Sequence, residues 1–441
     1  MIIQAVPLQT DLKYDVIIIG AGAAGLTAMK YLLAAGQHVC MLEAAAKPGG
    51  RILTITKEGF DEPVEAGAEF IHGKLPYTFK LLKEANISYE AVEGRMVAVE
   101  HGKWQEEEED DHWDEFIRKL KKLKTDISVK QFLEENFSEE KYFFLRRAVI
   151  NFAEGFDLAD ISRASMLSIK DEWKDIERTQ YRVKGGYIQL INFLVNSCDH
   201  NKASFHFNTC INRIEYKKDS ATAYTIDNRK FEASFVIVTA SAGLLQSGSI
   251  AFNPLLTAHN KAINDLGFGT VIKFLFWFKT KWWTKHGDDL GFILSDEEIP
   301  TWWTQLPNKN NLLTGWLGGP RAAKKSNETE GSLFQSALIS LSSIFHVNIE
   351  ELRNDLIHYK IIPWQNYPYV NGGYSYNTLN SEKARKILAE PAEGTIFFAG
   401  EAYSECELSG TVEAALQSGH DVAEKLINQY VHKKTTSSVN S

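Results

Sequence analysis

Four short apolar runs, at 14–19, 38–43, 235–239 and 395–399, are rich in β-branched residues and continuous rather than alternating. That is the pattern of strands covered on both faces. Residues 25–35, between the first two runs, are alanine-rich with helical spacing, which predicts a strand–helix–strand unit. The other two runs lie far downstream, so the sheet they join is assembled from distant pieces of chain. The intervening segments read differently. From about 80 to 200 the apolar positions recur at helical spacing among many Lys and Glu, as in 114–124 and 141–152, predicting a helical layer. From about 262 to 390 lie most of the tryptophans and strand-like runs at 271–278, 302–306 and 312–317, predicting an antiparallel sheet.

The expected fold class is therefore α/β with two domains. A Rossmann-like dinucleotide-binding domain is formed by 1–80, 205–261 and 390–430, and an α+β domain by 81–204 and 262–389 is inserted into it twice, with 431–441 as a flexible tail. Length and composition agree, since 441 residues allow two or three domains and 24% charged residues is ordinary for a soluble chain. A net charge of -9 argues against a nucleic-acid partner. Four scattered cysteines, Cys40, Cys198, Cys210 and Cys406, form neither a disulfide framework nor a metal-ligand spacing, so no metal and a reducing, cytoplasmic setting are expected. Residues 1–13 lack the pattern of a signal peptide, no apolar run approaches membrane-spanning length, and the polar 431–441 segment implies no membrane anchor. The acidic run 106–111 reads as a solvated edge.

Candidate chemistry begins at Gly20-Ala-Gly22-Ala23-Ala24-Gly25, which follows a predicted strand and opens a predicted helix. Glycines there permit a tight turn and let backbone N–H groups approach a pyrophosphate at the helix N-terminus. Glu43, at the end of the second strand, is placed to accept hydrogen bonds from a ribose diol. An NAD enzyme would share these features. Two further blocks separate the cases: Gly49-Gly50-Arg51, and the stretch 64–73 containing Gly67-Ala68-Glu69-Phe70-Ile71-His72.

With these blocks the chain resembles the flavin-containing amine oxidases, a family of monoamine oxidases, polyamine oxidases and flavin histone demethylases. The resemblance continues through 182–187, 235–241, 397–401 and 408–415, in the family's order, and is weak only over about 80–180. It implies FAD as cofactor, in contact with Gly20, Gly22, Ala23, Ala24, Gly25, Glu43, Gly50, Arg51, Gly67, Ala68, Glu69, Phe70, Ile214, Trp364, Gly400, Glu401, Gly410, Thr411 and Val412. A helix starting near Gly410 would direct its positive end at the flavin's pyrimidine ring.

Lys273 interrupts the apolar run 271–278, where alternation puts it on one face with Val271, Leu275 and Trp277. It is either an edge-strand lysine reaching for water or a functional cation. The resemblance implies the second, a catalytic lysine that holds a water beside the flavin and assists its reoxidation. Monoamine oxidases attach the flavin to a cysteine after paired glycines; Tyr374 stands at that position here, which implies non-covalent FAD. Ser375 and Thr411 occupy the positions of the two aromatic residues that sandwich the amine in monoamine oxidases. With His72 and Tyr374 they are the candidate substrate pocket, and Tyr376 and Trp302-Trp303 are further wall candidates.

The implied reaction is oxidation of a small amine with O2 as electron acceptor, by a monomer or homodimer. Three rivals share the fold: a desaturase, an amino-acid oxidase that presents Arg163 or Arg182 to a substrate carboxylate, and an FAD-binding protein without catalysis.

Overall fold

The structure is a computed structural model that describes residues 14–73, 75–105, 112–173, 179–405 and 408–428. The acidic run 106–111, Cys406 and the segments 1–13 and 431–441 lie outside the described residues. Two large sheets organise the chain. In the first, Ala203–His206, Val39–Leu42, Tyr14–Ile19 and Lys230–Val238 lie side by side in parallel, with Val16 opposite both Val39 and Phe235. The far edge of Lys230–Val238 is shared: its first half pairs antiparallel with Ser220–Thr225, its second half parallel with Ile396–Phe398. Val16, Ile17 and Ile18 are fully covered, as a continuous apolar run requires.

Helix Ala23–Ala34 covers one face of this sheet and packs against helix Val412–Leu426. A Cβ on Gly419 would lie 2.2 Å from the Ala24 carbonyl, so the two backbones meet directly at their crossing. Two helices whose contact residues, Ala24 and Gly419, are 395 positions apart in sequence are thereby joined beside the glycine-rich turn.

The second sheet has seven strands in the order Leu356–Pro363, Val271–Phe278, Leu312–Gly318, Thr301–Trp303, Leu290–Ser295, Arg95–Glu100 and Lys103–Gln105. Two of these come from the stretch expected to be helical, and Arg95–Glu100 pairs parallel with Leu290–Ser295, so the sheet is mixed rather than purely antiparallel. The reason is visible in Arg95–Glu100, where Val97 and Val99 alternate inward between exposed neighbours, a short period-2 signal inside a Lys- and Glu-rich region. Helix Glu330–Phe345 covers the face formed by Ile272, Phe274, Phe276 and Phe278. The helices Trp113–Lys122, Val129–Asn136 and Phe143–Asn151 bury Phe116, Phe132 and Phe137 in a core of their own. Among the described residues no single helix is long and apolar enough to cross a membrane.

Candidate active site

One cavity of about 2700 Å³ runs from the carboxyl ends of the parallel strands to the second sheet. Ordinary small-molecule pockets hold about 300–1,000 Å³, so there is room for a dinucleotide and a second molecule. At one end the wall is formed by Glu43, Ala44, Thr209 and Cys210, at the other by Lys273, Trp364, Gly400 and Thr411.

The dinucleotide end is built largely from main chain. Gly20 has φ +109, a conformation that favours glycine. Gly22 is the N-cap of helix Ala23–Ala34 and contributes no side-chain cap, and no acidic residue occupies the first turn. The bare N–H groups therefore face the cavity with their positive end unopposed, as a pyrophosphate requires. Glu43 accepts from Ala21 N at 2.6 Å and Ala45 N at 2.8 Å, and burial pushes its carboxyl above the ordinary range. Each oxygen keeps a second lone pair for a ribose hydroxyl. These features fit an extended dinucleotide.

Two expected contacts are corrected. Gly25 is off the wall: a Cβ there would lie 2.0 Å from the Gly20 carbonyl, so it serves close packing of helix on turn. Ile214 is fully buried within the sheet's core and does not reach the cavity, whereas Ile211 does. Strand Ile211–Lys217 climbs at about 3.3 Å per residue, so three residues take the side chain roughly 10 Å from the wall. The helix expected near Gly410 begins at Val412, with Thr411 as N-cap accepting from Ala414 N at 3.1 Å.

The reacting end is built from side chains. Strand Val271–Phe278 lies between two others and all eight residues are buried, which excludes the edge-lysine alternative for Lys273. Lys273 is 1% exposed and donates from Nζ to Gly67 O at 3.2 Å and to Glu69 Oε2 at 2.7 Å. Glu69 Oε1 accepts from Arg182 Nε and Trp303 Nε1, each at 2.9 Å. Burial opposes ionisation of Glu69, but Lys273 and Arg182 outweigh it and hold the carboxyl below its ordinary range. Glu65, off the wall, accepts from Tyr187 N and Thr54 Oγ1, and burial pushes it up to about 7.

Arg51 Nη1 donates to Glu401 at 2.6 Å and to Gly373 O at 2.9 Å. Glu401 also accepts from Gly410 N at 3.0 Å and from the Ser375 hydroxyl at 2.5 Å. Ser375 is thus spent on a buried carboxylate rather than presented freely. Trp364 donates from Nε1 to Ala66 O at 3.0 Å while lining the cavity.

At the front, His72, Phe156, Tyr374 and Tyr376 line the wall, with the His72 and Phe156 rings 5.6 Å apart. Tyr374 donates its hydroxyl to Phe156 O. Trp303 is on the wall, but Trp302 is fully buried and donates to Ile299 O. Arg163 donates to Asn264 O and Leu266 O, and Arg182 to Glu69; neither reaches the wall. Asp157 and Glu172 do reach it, and burial followed by their mutual proximity pushes the Asp157 carboxyl well above its usual range. Sequence reasoning missed the Arg51–Glu401 pair, the Arg182–Trp303 support of Glu69, and this acid pair. Each joins residues without a shared local motif.

A nucleotide cradle at the carboxyl ends of parallel strands, opening onto a lysine enclosed by an apolar sheet, has the form of a dinucleotide-binding site. The chain belongs to the flavin-containing amine oxidoreductase family, whose profile matches residues 23–427. FAD is the cofactor. It is 26% identical to human lysine-specific histone demethylase 2 over 93% of this chain and 53% of that protein. It is 24% identical to a flavin-containing amine oxidase of Oncorhynchus mykiss, over 94% of this chain and 86% of that one. The chain spans about half the length of the histone demethylase. Among solved structures it is similar to putrescine oxidase bound to putrescine, with TM-score 0.80, 20% identity, and coverage of 95% of this chain and 100% of that one. It is likewise similar to cyclohexylamine oxidase from Brevibacterium oxydans IH-35A, with TM-score 0.79, 21% identity, and coverage of 95% and 99%. At these identities the two structures speak for the fold.

Proposed function

We propose that this enzyme oxidises the carbon–nitrogen bond of a small amine, using FAD held without a covalent link and O2 as acceptor. The observation that carries the proposal is Lys273, an enclosed cation on a central strand that borders the cavity. Bound there, FAD supplies a two-electron acceptor for hydride from the carbon beside a neutral amine, and O2 takes the electrons to give hydrogen peroxide while the imine hydrolyses.

The chain's own residues bind, orient and exclude water. The bare N-terminus of Ala23–Ala34 holds the pyrophosphate and Glu43 the ribose. Gly50, Arg51, Gly67, Ala68, Phe70, Gly400, Glu401 and Gly410, with Trp364 on the same wall, would hold the ring system. Helix Val412–Leu426 turns its N-terminus to the same wall. The one acid in its first turn, Glu413, is drawn off by Tyr77 N and by Thr78 N and Oγ1, at 2.7 to 2.8 Å, which leaves the positive helix end effective. Lys273 holds a water against the cavity. His72, Tyr374, Ser375 and Thr411 bound the substrate space, and the acid pair Asp157–Glu172 borders the same cavity. The amino-acid oxidase reading loses the two carboxylate anchors the sequence offered, since Arg163 and Arg182 are both committed elsewhere.

Flavin bleaching without O2, across a panel of amines, polyamines and amino acids, tests the reaction. Amines bleach the flavin, faster as pH rises through the substrate's own pKa; bleaching by amino acids alone rejects the proposal. Acid precipitation releases all the yellow colour, since Tyr374 offers no thiol, and a flavin-bearing peptide after digestion contradicts non-covalent binding.

A further inference from the structure

A lysine ammonium carries three N–H donors. Two of those on Lys273 are retained inside the protein, by Gly67 O and Glu69 Oε2. One remains, and Gly67, Glu69, Trp303 and Lys273 all border the cavity. The direction of the third N–H is therefore set by whatever fixes the other two.

Glu69 cannot swing. Its Oε1 is held by Arg182 Nε and Trp303 Nε1, and the residue is 6% exposed. Arg182 is itself anchored by Nη1 to Leu306 O at 2.9 Å and Nη2 to Thr304 O at 3.3 Å, with its guanidinium 4.7 Å from the centre of the Phe70 ring. The carboxylate expected to touch the cofactor thus spends both oxygens on protein donors. The charge pattern is two cations about one anion, with Glu65 as the further acid whose charge acts on both Lys273 and Glu69.

We propose that Glu69 is a positioning residue for the oxidation: resting on the role given to Lys273 above, it aims the free N–H of that lysine into the cavity and supplies the counter-charge that keeps the ammonium beside Arg182. The reaction then depends on Glu69 only through Lys273. That dependence separates positioning from a merely structural role.

The test compares Lys273→Met, Glu69→Gln and the double variant as flavin-bound proteins, in anaerobic reduction by amine, in reoxidation by air and in thermal unfolding. Glu69→Gln slows reoxidation about fivefold or more and alters reduction less than about twofold, and the double variant reoxidises no more slowly than Lys273→Met alone. A residue that only holds the fold slows both half-reactions, and its loss multiplies with that of the lysine. Unfolding reads the same pair without turnover: Glu69→Gln leaves the buried Lys273 and the partly buried Arg182 without the anion between them, so adding Lys273→Met raises the Tm. If Glu69→Gln yields no folded protein, the double variant against Lys273→Met still decides. A double variant about fivefold slower than Lys273→Met, or melting below Glu69→Gln, overturns the proposal. Native reoxidation in Lys273→Met is a different failure, since it removes the lysine's role and that of Glu69 with it.

Discussion

At the dinucleotide end of the cavity the wall is main chain, with Gly20, Gly22 and the open turn of helix Ala23–Ala34 presenting N–H groups and a single carboxylate at Glu43. At the reacting end the wall carries charged side chains, Lys273, Glu69, Arg51 and Glu401, with Arg182 bracing Glu69 from behind it, and the five arrive from separated segments. The difference teaches what each end must do. A pyrophosphate needs many fixed dipoles and little specificity, which backbone supplies at no side-chain entropy cost. The reoxidation proposed above needs one cation in one place, which an enclosed side chain with two of its three N–H groups fixed supplies.

The sharpest way to break the comparison is to give the first end a side chain. Gly25→Val places a Cβ 2.0 Å from the Gly20 carbonyl, so helix and turn must separate. The expected cost is about 3 kcal/mol or more, with flavin content after gel filtration falling below about a tenth of native. Full flavin content in that variant contradicts a cradle made by close backbone packing.

The second perturbation reaches the charged end through Glu65. Burial raises its folded-state pKa from 4.5 to about 7, so the folded protein keeps a proton that the unfolded chain has lost between those values. Stability therefore falls as pH rises from about 4.5 to about 7. A shift of that size corresponds to about 3 kcal/mol, which the partial exposure of the side chain reduces to roughly 2. Glu65→Gln keeps the Thr54 and Tyr187 partners and removes the titration. Its Tm at pH 8 should exceed the native value, with little difference at pH 4.5; equal melting curves at both pH values reject the assignment.

How far each end was legible in the sequence follows from the same contrast. The strands 14–19 and 271–278 were readable to the residue, and the faces of the latter, Ile272 to Phe278 against Val271 to Trp277, separate into two cores as alternation requires. Glycine turns report backbone geometry locally, so the cradle was visible as a motif. Glu69 also lay in a visible motif, but its partners Arg182 and Trp303 are 113 and 234 residues away, and no local period encodes such a meeting. Ile214 failed for a different reason: it was named from the resemblance alone, and which residue of strand Ile211–Lys217 touches the cavity depends on where the strand leaves the wall.

Lys273→Met sharpens the comparison by leaving the first end intact. Flavin stays bound and yellow, while turnover or reoxidation slows at least about tenfold, equivalent to about 1.4 kcal/mol of barrier. Stopped-flow mixing of the reduced variant with O2 measures this directly, and an unaltered rate takes the lysine out of the mechanism.

The smallest effect tests the seam between the two ends. Thr411 belongs to both, since it caps helix Val412–Leu426 and borders the cavity. Thr411→Ala removes the acceptor for Ala414 N and should cost about 1 kcal/mol, while Thr411→Ser keeps the hydroxyl and should restore it. If Thr411 also shapes the substrate space, the two variants part company in kinetics. Both lack the methyl group and so share an altered KM, whereas only alanine lowers Tm. A KM that returns to the native value in Thr411→Ser reduces Thr411 to a helix cap, and places the boundary of the substrate space on Tyr374 and His72 instead.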